Sequence, residues 1–269
     1  MRPTATRRRM EAARLLREAE HRTAPVEPLT TTWPGLDRAD AYAVQQDNVA
    51  RHLTSGSTVI GHKVGLTSVP MRELLGVYEP DFGHLLDDMV HRDGGTVRAA
   101  RYCAPRVEPE ICFRLARTLR GPGVTISDVL TATDAVAPAL EIVDSRIRDW
   151  RIAPADALAD NAGSAGPVRG SWTPMAYAPD LAAVNVDLLV DGSRVATGSS
   201  KEVMGHPAAA VAWPANALAA YGKRLEAGYA ILPGANHSPL HRRRPEGRGR
   251  FRSARLRVGV FHLTTARPL

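Results

Sequence analysis

Three glutamates carry the first chemical signal in this chain. Residues 106–113 read RVEPEICF and place Glu108 and Glu110 two apart inside a short apolar run. In an extended strand, side chains two apart share a face, so both carboxylates project together while Val107, Pro109 and Ile111 face the other way. Further on, the run APALEIV holds Glu141 as its one acid. Carboxylates in apolar surroundings must bind protons, pair with cations or ligate a metal. Hard divalent cations prefer oxygen donors, and a third oxygen ligand at Glu141 ties it to the Glu108–Glu110 pair. The competing readings are a solvated face for the pair and, for Glu141, bonds to backbone amides or an ion pair with Arg106 or Arg146.

Other groups suit the same chemistry. Residues 59–68, VIGHKVGLTS, form an apolar strand that carries Lys63 between glycines. A lysine there either snorkels to the surface or stands as a positioned cation whose pKa burial adjusts. In EPDFGHLLDDM, residues 79–89, Pro80 and Gly83 hold Asp81 in a constrained loop, as a turn residue bonded to nearby amides or as a displayed acid or base. The small-residue loop ADNAGSAGP, residues 159–167, offers Asn161 and Ser164 for hydrogen-bonding a carboxylate or for turning the chain.

These groups need elements to hold them. Residues 4–21 read as an amphipathic helix, and Asp37 is placed to cap a second helix through Tyr42, Val49 and Leu53 that Gly56 closes. Ser127 is the expected cap of a helix reaching about Asp134, followed by a strand over residues 136–143. Asp191-Gly192 sits between alternating apolar residues as a type I′ hairpin turn. Residues 204–225 read as a helix entered through Pro207, with Pro214 expected to kink it.

Composition narrows the class. The 269 residues are 44% hydrophobic and 23% charged, with no run of the length a membrane span needs. Arg2 and Arg7 to Arg9 precede no apolar stretch, so no secretory signal is read. Two cysteines, Cys103 and Cys112, make no disulfide scaffold and fit packing roles in a reduced, cytoplasmic setting. The net charge of +7 is local: residues 236–269 hold nine arginines against Glu246, a balance of +8, which leaves about −1 for the rest. Without a nucleic-acid-binding motif beside it, that charge does not argue for a nucleic-acid partner.

The stretches GHKVGLTS, LGVYEPDFGHLLDDM, RVEPEICF, PALEIVDSRIRDW, ADNAGSAG and GHPAAAVAWPAN occur in that order, and with them the chain resembles the 2-keto-4-pentenoate (2-hydroxypenta-2,4-dienoate) hydratases of the fumarylacetoacetate hydrolase superfamily. The resemblance implies an α+β fold, a barrel-like β-roll body of the fumarylacetoacetate hydrolase C-terminal type behind a helical N-terminal part, assembled as a homo-oligomer. Its divisions are 1–58 for the helical region, 59–235 for the metal-binding body and 236–269 for an atypical Arg-rich segment. It implies that Glu108, Glu110 and Glu141 bind Mg2+ or Mn2+, that Lys63 and Asp81 are catalytic, and that Asn161 and Ser164 meet a small 2-oxo or 2-hydroxy dienoic acid. The implied activity is hydration of 2-hydroxypenta-2,4-dienoate to 4-hydroxy-2-oxopentanoate in aromatic catabolism, beside a pathway aldolase or decarboxylase. The alternatives are a 4-oxalocrotonate-type decarboxylase using the same enolate chemistry, and an impaired member with a structural role. Two features depart from the family: Pro214, and the segment after residue 235, where Tyr229 already replaces an acid and only residues 255–263 keep strand alternation. A changed reading frame or divergence is the first explanation for that segment, ahead of an anion-binding patch.

Overall fold

The computed structural model describes residues 4–69, 72–73, 77–190, 192–235 and 254–255. Helix α1 (Ala5–Arg22) starts at Thr4, whose hydroxyl accepts the Arg7 amide, and buries Ala12, Ala13, Leu16 and Ala19. After the single turn α2 (Leu29–Thr32), Asp37 caps α3 (Arg38–Thr54) by accepting the Asp40 amide. Gly56 follows at a φ of 101°, a conformation open to glycine at little cost. Arg8 and Arg9 both pair with Asp40, so part of the N-terminal basicity is neutralised inside the fold.

A seven-stranded sheet follows. Its order is β2 (Asp81–Leu86), β1 (Val59–Gly65), β10 (Ala230–Leu232), β4 (Arg106–Leu115), β5 (Thr133–Val143) and β6 (Ser164–Arg169), with β7 (Thr173–Pro174) also on β5. β1 and β10 run parallel and the other pairs antiparallel. With the helices before and around this curled sheet, the architecture is the expected mixed α+β body. Between β4 and β5 lies α4 (Ile126–Ala132), capped by Thr125 and not by Ser127. Thr125 prevails because its hydroxyl and the Asp128 carboxylate accept each other's backbone amides, a reciprocal pair Ser127 has no partner for. The strand after it begins at Thr133, three residues before the expected start, because the ladder to β4 already includes Leu115 opposite Thr133.

The helix α5 (Pro154–Ala159) precedes β6, and β8 (Asn185–Val190) pairs with β9 (Ser193–Ser199) as the expected hairpin; Asp191 of its turn lies outside the described residues. Helix α6 (Pro207–Ala219) keeps Pro214 in its buried face, and the proline does not end it. Burial of Ala208, Val211, Ala215 and Leu218 on both sides of the proline holds the two halves against one core. Of the Arg-rich segment, Ala254–Arg255 form β11 against β3 (Thr96–Val97); the remaining expectations for residues 236–269 lie outside the described residues.

Strand alternation separates two faces. Phe82, Ile111, Phe113, Val136 and Ile231 pack with Leu16, Tyr42, Val44, Val211 and Leu218 in the main core, so the helices cover one face. The opposite face carries Lys63, Asp81, Glu108, Glu110 and Glu141 beside the small cluster Leu85, Cys112, Ala137, Ala139 and Leu232. Phe113, fully buried at the centre of the helix-covered face, is expected to cost about 3–5 kcal/mol when replaced by alanine. Exposed Met10 is expected to cost under about 0.5 kcal/mol. Urea unfolding of both variants checks this, and equal losses would contradict the placement of the core.

Candidate functional site

The register of β4 on β5 places Glu108 directly opposite Glu141, and Glu110 follows two residues along the same face. One carboxylate oxygen from each of the three lies within 4.8 Å of the others. Glu110 is 3% exposed and Glu141 fully buried, while Glu108 sits at the rim, half-buried. The solvated-face reading therefore fails for Glu110. An ion pair of Glu141 with either arginine fails as well, since Arg146 is engaged by Asp160 and Arg106 stacks on the Trp150 ring, 4.0 Å from its centroid.

Lys63 reaches the same cluster from β1. Its ammonium donates to the Ala162 carbonyl at 2.9 Å and stands 3.4 Å from Glu141 Oε1, an ion-pair contact without hydrogen-bond geometry. The snorkelling reading is excluded by its burial. Burial opposes its charge, but Glu141 first, then Asp81, Glu108 and Glu110, outweigh it and hold the pKa above the ordinary lysine value. Asp81 opens β2 opposite Gly65, and a methyl built on Gly65 would lie 2.2 Å from Asp81 Oδ1 and 3.5 Å from the Lys63 ammonium. The glycine is what admits the carboxylate beside the lysine. Burial raises the Asp81 pKa, with Lys63 pulling the other way.

Asn161 and Ser164 belong to the loop that receives Lys63. Asn161 uses both ends of its amide on the His84 main chain, accepting at 2.7 Å and donating at 3.0 Å. Asn161, Ala162 and Gly163 all take left-handed φ values, 53°, 51° and 70°, and the run presents the Ala162 carbonyl to Lys63. Gly83 lacks a side chain where Asn161 O would stand 2.1 Å from its Cβ. Ser164 has a buried hydroxyl without a hydrogen-bond partner among the described residues, and with Asn161 it lines a small pocket shared with Leu16, Gln45 and Val49 of the helices. That pocket includes none of Asp81, Glu108, Glu110 and Glu141.

Sequence reasoning missed the main-chain groups of the site, the Ala162 carbonyl on Lys63 and the Gly234 amide, which donates to Glu110 Oε2 at 2.9 Å. It also missed His62 and His84, cross-strand partners on the helix-covered face with ring centroids 4.7 Å apart. Burial lowers both, His84 to about 4, so they are neutral packing groups. The glycines at 65 and 83 were the one available signal for close approach around the lysine.

The donor set fits a divalent cation. Asp81 Oδ1, Glu110 Oε1 and both oxygens of Glu141 are buried without a hydrogen-bond partner among the described residues, a cost that a cation removes. The burial of Glu110 beside Glu141 and Glu108 raises its pKa well above the carboxylate range, and burial carries Glu141 to about 7 despite Lys63. Arg38 and Arg106 act on Asp81 and Glu108 from the rim, but the first pairs with Glu79 at 3.2 Å and the second is held on Trp150.

No family model matches the chain. It is 44% identical over 222 residues to 2-hydroxyhexa-2,4-dienoate hydratase of Comamonas testosteroni, spanning 82% of this chain and 84% of the relative. It is likewise 44% identical over 227 residues to 2-keto-4-pentenoate hydratase of Paraburkholderia xenovorans strain LB400, spanning 84% of each. Among solved structures, 4-oxalocrotonate decarboxylase from Pseudomonas putida G7, complexed with magnesium and adipate, matches at a TM-score of 0.85 and 32% identity, over 89% of this chain and 92% of that one.

The raised pKa of Glu110 sets a pH dependence. A carboxyl raised in the folded state stabilises the fold relative to its ionised form below the unfolded value near 4, and loses that advantage as pH rises through the folded value. Without divalent cation, Glu110→Gln is therefore expected to gain more stability over the wild type at pH 8 than at pH 5.5. Paired thermal melts check this, and an equal gain at both pH values would contradict the burial of three acids together.

Proposed function

Since the chain belongs to the 2-keto-4-pentenoate hydratase family of the fumarylacetoacetate hydrolase superfamily, we propose that it hydrates 2-hydroxypenta-2,4-dienoate to 4-hydroxy-2-oxopentanoate with Mg2+ or Mn2+ held by Glu108, Glu110 and Glu141. The observation that carries the reading is the convergence of the Glu108, Glu110 and Glu141 carboxylates, with Glu110 Oε1 and both Glu141 oxygens buried without a hydrogen-bond partner among the described residues and a charged lysine beside them. A cation bound there supplies a Lewis acid for the carboxylate and C2 oxygens of a 2-oxo acid.

The chain's own residues account for the proton steps. Asp81, buried beside Lys63 with Oδ1 unpartnered among the described residues and its pKa raised by burial, is the group placed to exchange a proton. In the first step the proton of the C2 hydroxyl leaves and one is added at C5, giving 2-oxopent-3-enoate. In the second, water adds its oxygen at C4 and a proton goes to C3. Asp81 handles the proton in these transfers, and Lys63, fixed by the Ala162 carbonyl, holds negative charge next to it and orients it. Asn161 acts by setting the Ala162 loop, and Ser164, whose hydroxyl has no hydrogen-bond partner among the described residues, is the proposed substrate contact.

Among the described residues no helix is long and apolar enough to cross a membrane. A cytoplasmic homo-oligomer working beside an aldolase or decarboxylase of the same route is part of the proposal. A second reading, decarboxylation of 4-oxalocrotonate, is favoured by the likeness to the magnesium-bound decarboxylase.

Loss of dienol absorbance with purified protein tests the first reading. The rate is expected to vanish with EDTA and return with Mg2+ or Mn2+, and Asp81→Asn or Lys63→Met is expected to lower kcat by about 10²–10⁴. No metal-dependent loss would overturn the hydratase reading, and carbon dioxide release from 4-oxalocrotonate in its place would establish the second.

A further inference from the structure

Glu110 has one oxygen engaged by a main-chain amide. Gly234, two residues past β10, donates its amide to Glu110 Oε2 at 2.9 Å, while Glu110 Oε1 is buried without a hydrogen-bond partner among the described residues. Gly234 has a φ of 108°, in the region that favours glycine, and a methyl on it would lie 2.1 Å from Thr67 Oγ1 and 3.0 Å from Thr67 Cβ. Thr67 is itself buried, just beyond β1 on the loop that leads from Lys63 towards Asp81. The segment after β10 and the loop after β1 thus interlock at a point where a side chain does not fit, and that contact brings the amide onto Glu110.

We propose that the Thr67–Gly234 contact is a positioning device for the metal site: the Gly234 amide fixes the Glu110 carboxylate so that Oε1 alone is presented to the cation. The physical reason is that a buried carboxylate with free rotation about its terminal bond offers either oxygen or both. An amide on one oxygen removes that freedom and supplies the hydrogen bond that orients a ligating group. Gly234 and Thr67 touch neither substrate nor cation and act through Glu110. The proposal rests on the metal reading above, and its test separates the two.

The test is Mn2+ affinity, read by electron paramagnetic resonance titration of the full chain without substrate. Gly234→Ala is expected to weaken binding by about 10- to 100-fold. Gly228→Ala controls for backbone strain, because Gly228 also has a positive φ, 87°, yet has open space around its Cβ position; it is expected to stay within about twofold of the wild type. Combining Thr67→Ala with Gly234→Ala, which removes the crowding oxygen, is expected to regain part of the loss. Gly234→Ala that binds Mn2+ like the wild type would overturn the proposal, whereas a wild type that binds no Mn2+ would overturn the metal reading itself.

Hydrogen exchange of metal-free protein gives a second measurement that does not depend on folding of the Gly234 variant. In a peptide containing Gly234, Glu110→Ala is expected to speed exchange of that amide relative to the wild type. Unchanged exchange would show that the amide is not held by Glu110 and would overturn the proposal.

Discussion

The structure turns on the crowding of three carboxylates on one face of the β4–β5 ladder, with Asp81 close by and Lys63 as the buried cation among them. Like charges this close in low dielectric repel strongly, and burial raises that cost. Protonation, the lysine and a divalent cation are the three ways to relieve it. Lys63 supplies one positive charge, and burial moves Glu110 and Glu141 towards the neutral form, Glu141 to about 7. A divalent cation held there, as proposed, would relieve the remainder, since the crowding that disfavours the metal-free cluster favours a cation among its oxygens. The strain is borne by the core on the other face, where aromatic and aliphatic side chains pack under the helices.

The small residues around the cluster serve that arrangement. Gly65 lets Asp81 lie against β1, Gly83 lets the Asn161 carbonyl cross β2, and Gly234 lets its own amide reach Glu110. Each close approach brings a polar group to a buried charge that water does not reach. Asn161 extends the pattern, since its clasp on the His84 main chain sets the left-handed turn from which the Ala162 carbonyl meets Lys63. The side chains of the proposed site, drawn from β1, β2, β4 and β5, are thereby held on strands, with one loop tying them together.

Much of the site was legible because strand periodicity is a local property. Two residues apart on a strand means one face, and that put Glu108 with Glu110; an acid alone in an apolar run marked Glu141. The pairing of Glu108 with Glu141 was not legible, because register is fixed by the whole ladder and its neighbours. Nor were the Ala162 carbonyl and Gly234 amide, since every residue carries such groups and only the folded path selects these two. The α4 cap went to Thr125 because a reciprocal partner three residues on outweighs the identity of a single serine. Asn161 was read as an amide for binding a carboxylate or for turning the chain, and the structure engages that amide with the His84 main chain.

The central claim is that Glu108, Glu110 and Glu141 together hold one divalent cation. The most direct measurement is anomalous diffraction from crystals grown with Mn2+ and oxalate. The account predicts one strong peak within bonding distance, about 2.0–2.3 Å, of an oxygen from each of the three glutamates. A peak held by other residues, or no peak at this cluster with the protein folded and Mn2+ in excess, would contradict it.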